Sequence, residues 1–172
     1  MTRSLLLFAL AASTLFFGAG CGKRSHFTPV TKGMSQASAL TLYECLPHQS
    51  WEGELLKKEL ATKKTITIHG FPFYERPLSI AAADVEELRR LSVAADSFSP
   101  YGGPKACGGY HPDYCLAWKD GPTTYELLIC FGCHEMKLFS PKQEELADIR
   151  KDAFERFETI LKKYQDQRPK TE

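Results

Sequence analysis

The sequence predicts an α+β fold: an antiparallel β-meander of three or more strands with helices packed mainly on one face. Three observations predict it. Asp120-Gly121 is a hairpin turn signal between YCLAWK and TYELLIC. Phe131-Gly132 offers a second two-residue turn, leading into EMKLF. Beyond it, Leu146, Ile149, Ala153, Phe157, Ile160 and Tyr164 step by threes and fours, the apolar stripe of a helix from about Lys142 to Tyr164. Strands followed by a helix lying on their face make an α+β sandwich.

Residues 39–165 read as one domain, as a 172-residue chain allows. ALTLYECLPH (39–48) reads as a short strand that stops at Pro47. SWEGELLKKELATKK (50–64) reads as a helix with Ser50 as its N-cap and Trp51, Leu55, Leu56 and Leu60 on one face. In TITIHGFPFY, Ile66 and Ile68 alternate with Thr65 and Thr67 as a half-buried strand; Gly70 and Pro72 then bend the chain or hold it at a sheet edge. Asp84 and Glu87 resemble a capping box, with Val85, Leu88 and Leu91 or Ser92 on the inner face of a second helix. Residues 96–113, DSFSPYGGPKACGGYHPD, form a long Gly/Pro-rich loop, and long loops in small domains commonly carry function. Residues 166–172 are left as a disordered tail.

The N-terminus sets the expected compartment. Arg3 precedes a 15-residue uncharged apolar run, Leu5 to Ala19, which is too short for a spanning helix but suits the core of a secretory signal. Gly18-Ala19-Gly20-Cys21 resembles a lipobox, with Gly18 where leucine is usual. Residues 1–20 are therefore expected to be a lipoprotein signal peptide and Cys21 the lipidated residue, its acyl chains (palmitate among them) anchoring the protein to the bacterial membrane. Gly22 is not the aspartate that resembles an inner-membrane retention signal, which points to the outer membrane, facing the periplasm. Cleavage after Gly20 without lipidation would instead release a soluble periplasmic protein. Residues 21–38 read as a flexible tether in which Met34 is solvated. Losing residues 1–20 removes only Arg3 from 22 basic and 21 acidic side chains. A balanced chain offers nothing electrostatic for nucleic acid.

With Cys21 lipidated, five thiols remain, Cys45, Cys107, Cys115, Cys130 and Cys133, an odd number for an exported protein. Cys130 and Cys133, placed across a two-residue turn, would share one face of the hairpin. Cys107 and His111, spaced C-x3-H in the long loop, supply two further donors. The four together are laid out like a zinc knuckle, closed by protein on all sides and so structural. Disulfides are the competing expectation, Cys107–Cys130 or Cys130–Cys133. A thiol redox pair at Cys130 and Cys133 is the second function considered. Cys130-Phe131-Gly132-Cys133-His134 also carries the letters of a c-type haem attachment site, the third reading; against it, the motif continues a strand rather than opening a helix. Cys45 and Cys115 sit mid-strand as buried small hydrophobes, or as a second bridge. His48 could join Glu44, His69 bonds locally at a strand end, and His134 points to the opposite face from Cys133. His111 and Asp113 could work as an acid/base pair, although Asp113 suits turn capping better.

LYECLPH, IHGFPFY, KACGGYHPDY and ELLICFGCHEMK, in this order, resemble a family of uncharacterised exported bacterial proteins across roughly residues 40–165. The resemblance implies a shared cysteine, a nearby histidine and an ICF-x-C hairpin, which fall here on Cys107, His111, Cys130 and Cys133. Cys45 and Cys115 depart from the family pattern, where small residues are usual. No activity comes with the resemblance. The leading expectation is a non-enzymatic, lipid-anchored envelope protein whose Cys/His cluster binds zinc or forms disulfides.

Overall fold

The computed structural model describes residues 33–170. The expected signal peptide, the lipidated Cys21 and most of the tether lie outside the described residues. After helical residues 33–36 the elements follow in the order β1 (Ala39–Glu44), α1 (Gly53–Thr62), β2 (Thr65–Ile68), β3 (Phe71–Tyr74), α2 (Ala82–Val93), β4 (Phe98–Pro100), β5 (Tyr114–Asp120), β6 (Thr123–Cys130), β7 (Glu135–Ser140), β8 (Gln143–Ile149) and α3 (Lys151–Leu161). Six strands form one antiparallel sheet in the order β1-β5-β6-β7-β8-β4, and β2 and β3 form a separate hairpin. The α+β class with its meander is thus the observed fold.

Alternation along the strands separates two cores. Tyr114, Leu116 and Trp118 of β5, with Leu127 and Ile129 of β6, face α2 and α3, where Leu88, Leu91, Phe157 and Leu161 meet them. Cys115, Ala117 and Leu128 face the other way, against Cys45 and Phe73. Cys130, two residues after Leu128, continues that second face. The β2–β3 hairpin covers it, turning through His69 and Gly70, both at positive φ (47° and 84°). That is a two-residue turn rather than the bend expected from Gly70 and Pro72.

Five further expectations are corrected. The long final helix is half strand: residues 143–149 pair with β7 through a two-residue turn at Pro141-Lys142, Ser140 lying opposite Gln143. Ala147 (0% exposed) and Ile149 (5%) point inward with period two, and satisfying the free edge of β7 outweighs local helix preference. The first helix starts at Gly53, not Ser50, and its one buried residue is Glu59, which accepts a hydrogen bond from Tyr74 Oη (2.8 Å), while Trp51 and Leu60 stay exposed. Asp84 and Glu87 make no capping box. Asp84 accepts from Tyr164 Oη (2.6 Å) and Lys163, and Glu87 pairs with Arg90 and Arg156, which ties α2 to α3. At the chain ends, Met34 is fully buried in the helix-side core rather than solvated. The stretch after Tyr164 is docked rather than trailing: the N–H groups of Asp166 and Gln167 donate to buried Glu44 (3.2 and 2.7 Å).

Candidate functional site

The β6–β7 connection decides the site. Cys130 pairs with Glu135, so the turn holds four residues, Phe131 to His134, and His134 takes the left-handed conformation at φ 54°. Cys130 and Cys133 are therefore not opposite one another, and the two-residue turn at Phe131-Gly132 is corrected. Instead the backbone curls around one sulfur: the Cys133 N–H donates to Cys130 Sγ at 3.3 Å, and the His111 N–H also bonds it. Burial pushes the Cys130 thiol up, against these two N–H groups, which favour the charged form.

Cys133 is bonded to Cys107, with Cα atoms 5.5 Å apart. Neither expected pairing, Cys107–Cys130 nor Cys130–Cys133, is the observed one, because the wider turn swings Cys133 toward the loop. The 101–113 loop is thereby stapled to the hairpin tip. Cys45, Cys115 and Cys130 are free and buried, so Cys45 and Cys115 make no second bridge. Cys45 donates to the Pro72 carbonyl (3.0 Å).

A second clamp holds the loop from the other side. Ser50 Oγ donates to the Gly108 carbonyl (3.1 Å) and Trp51 Nε1 to the Cys107 carbonyl (3.3 Å). Gly108 sits at φ 79°, and a Cβ there would meet the Trp51 indole at 2.8 Å, so only glycine lets the loop pass under the ring. The cavity beneath, about 190 Å³, is lined by Cys107, Cys130, His48, His111, Trp51 and Arg168, among others.

The two imidazoles lie 4.6 Å apart between ring centres. His111 Nε2 is 3.8 Å from Cys45 Sγ, and burial, with the nearby His48 and Arg168, drops its pKa to about 4. His48 Nδ1 accepts the Ser50 N–H (3.0 Å), which places the ring proton on Nε2, a buried atom with no partner among the described residues. Asp113 accepts the Phe131 N–H (2.7 Å) and an Arg168 N–H (3.2 Å). Arg168 also pairs with Glu52. Asp113 thus caps the turn and anchors the docked C-terminal stretch, and the His111–Asp113 acid/base pair is not formed. Burial raises the Asp113 carboxyl against those two donors.

The chain matches no family model, no curated protein and no solved structure.

Of the sequence-derived residues, the structure brings Cys107, His111, Cys130 and Cys133 to one place, but not as a tetrahedral set. One sulfur pair is consumed in the bridge, and the His111 Nε2 lies at Cys45. Among the described residues no three Cys, His, Asp or Glu side chains stand as a metal-binding group. His134 stacks on Phe154 of α3 (3.8 Å), on the helix-side core, and His69 stacks on Phe139 and meets Glu126, neither lining the cavity. His48, Trp51, Glu52 and Arg168 were missed as partners of the cysteines. His48 lines the cavity rather than joining Glu44, whose carboxylate the docked C-terminal stretch takes. LPHQSWE before the helix was the available signal, a polar and aromatic run too short to bury itself.

Proposed function

We propose that this chain is a lipid-anchored protein of the bacterial cell envelope, held at the outer membrane through Cys21 and facing the periplasm. In this reading its cysteine/histidine pocket is a non-enzymatic binding platform clamped by a disulfide. The observation that carries the clamp is the Cys107–Cys133 bond across a sequence separation of 26, joining the long Gly/Pro-rich loop to the tip of the β6–β7 hairpin. A bridge suits an exported protein. The export itself rests on the N-terminal pattern and on the resemblance to exported bacterial proteins.

Zinc on Cys107, His111, Cys130 and Cys133 belongs to the reduced protein. It requires the bridge to open and the His111 ring to turn from Cys45. Haem attachment through Cys130 and Cys133 requires the same opening, with His134 leaving Phe154. The test is one purification of the full chain under non-reducing conditions, with thiol counting, elemental analysis, an absorbance spectrum and mass analysis of the N-terminal peptide. The clamp predicts a Cys107–Cys133 peptide, no stoichiometric zinc and no Soret band, with a lipid-modified Cys21. Stoichiometric zinc with Cys107 and Cys133 unbridged would replace the clamp with the metal site.

The redox reading keeps one specific observation in its favour: a third sulfur, Cys130, accepts the Cys133 N–H (3.3 Å) and lines the same cavity as Cys107. Any such cycle runs on Cys107–Cys133, not on a Cys130–Cys133 pair alone.

A further inference from the structure

A static staple does not account for Cys130. Its sulfur accepts N–H groups from Cys133 and His111, an arrangement that a purely packed thiol does not need, and it lines the same cavity as Cys107. The two bridge sulfurs differ sharply in surroundings. Cys133 is 2% exposed, whereas Cys107 is half-buried on a glycine-flanked loop under an exposed tryptophan. Both bridge sulfurs stand 3.7 Å from the Gly109 carbonyl.

We propose that the site holds a latent thiol: Cys130 exchanges into the bridge, so that Cys107, masked in the resting state, becomes the free sulfur at the cavity mouth. In the step, Cys130 as thiolate attacks Cys133 Sγ. The Cys130–Cys133 S–S bond forms as the Cys107–Cys133 bond breaks, and the electron pair leaves on Cys107. The proton lost by Cys130 is matched by the one Cys107 takes up, so the exchange needs no outside oxidant or reductant. Cys133 is the sulfur attacked because it lies in the turn that directly follows Cys130, its N–H already on the attacking atom. Cys107 is the better leaving group because it is the more exposed sulfur, where water can solvate the developing charge. The shift also removes the covalent tie between the 101–113 loop and the hairpin tip, leaving the loop held by its hydrogen bonds alone, from Ser50 and Trp51 on one side and to the sheet through Tyr110 and Lys105 on the other. The freed thiol is placed to form a mixed disulfide with a small thiol or with a cysteine of an exported protein. This inference rests on the Cys107–Cys133 bridge of the proposed clamp.

The test is timed alkylation of the folded full chain with N-ethylmaleimide under non-reducing conditions, followed by peptide mapping. Exchange predicts maleimide accumulating on Cys107 with a matching rise of the Cys130–Cys133 peptide. It also predicts labelling of Cys107 about tenfold or more slower in Cys130→Ser, in which the original bridge persists. Cys130→Ala serves as the second variant should the serine disturb the buried site. An intact Cys107–Cys133 bridge with no label on Cys107 overturns the exchange and leaves the clamp standing. Equal labelling of Cys107 in wild type and both variants also overturns it. Absence of the bridge in the starting protein overturns the clamp, and the exchange with it.

Discussion

Burial holds the His111 imidazole neutral down to about pH 4, against an ordinary value of 6.5. Its folded-state pKa lies below the unfolded one, so between these values the unfolded chain binds the extra proton and stability rises with pH. The contribution is complete above about pH 6.5 and is lost as pH falls toward 4. Acidification across that window should cost on the order of 2 kcal/mol through this residue. Urea unfolding of wild type and His111→Gln at pH 7 and pH 4.5 checks this, and the variant should lose much of the difference. At Arg168 the effect is of another kind. Its guanidinium serves Glu52 and Asp113 at once, so Arg168→Met strands two carboxylates, one of them largely buried. That should lower stability by about 2–4 kcal/mol, and it should be seen as a lower thermal midpoint. A chain cut after Tyr164 should show at least as large a loss. An unchanged midpoint in either would mean that the docked C-terminal stretch contributes nothing.

At the scale of elements, β8 is where pattern and structure part. Leu146, Ile149 and Ala153 fit a helical stripe, yet Ala147 and Ile149 are the residues that face inward, with Ala147 opposite Met136 on β7 and Pro100 on β4. Ala147→Leu therefore inserts three carbons between two sheet neighbours and should cost about 1–3 kcal/mol, measured by denaturant midpoint. On the helix first expected, Ala147 lay off the apolar stripe and the same change would have been nearly neutral. The final helix from Lys151 was legible, since Ala153, Phe157 and Ile160 all point into the core. The β2–β3 hairpin was half legible: the alternation of Ile66 and Ile68 was visible, but His69 adopting positive φ was not, because histidine carries no strong turn preference. The hairpin of β5 and β6 is legible from Asp120-Gly121, although Asp120 pairs with Thr123 and the two turn residues are Gly121, at φ 54°, and Pro122.

For the molecule as a whole, the bridge is the one covalent tie, among the described residues, between the 101–113 loop and the hairpin tip, beside the hydrogen bonds of Tyr110 Oη to the Leu128 carbonyl (2.7 Å) and of the Phe131 N–H to Asp113 (2.7 Å). Reduction with dithiothreitol, or Cys107→Ser, should lower stability by about 3 kcal/mol, as expected for opening a loop of this size, while far-ultraviolet dichroism keeps its sheet signal. The sheet has its own core of Trp118, Leu116, Ile129 and Phe157 and does not depend on the staple. Loss of the sheet on reduction would instead make the bridge part of the folding nucleus. The site assembles from three distant stretches: His48 to Glu52, Cys107 to Asp113 and Cys130 to Cys133, with Arg168 closing the set from the far end of the chain.

What the chain determined by itself was local or periodic. This covers the α+β class, the meander's first hairpin, the inner faces of two helices and the gathering of Cys107, His111, Cys130 and Cys133 around one turn. Each is written in neighbouring residues or in a short repeat. Tertiary structure decided which sulfur meets which, that residues 143–149 extend rather than coil, and that Arg168 belongs to the pocket. Those outcomes depend on contacts between residues far apart in the chain. There, a turn longer by two residues or a sheet edge needing a partner outweighs any local preference.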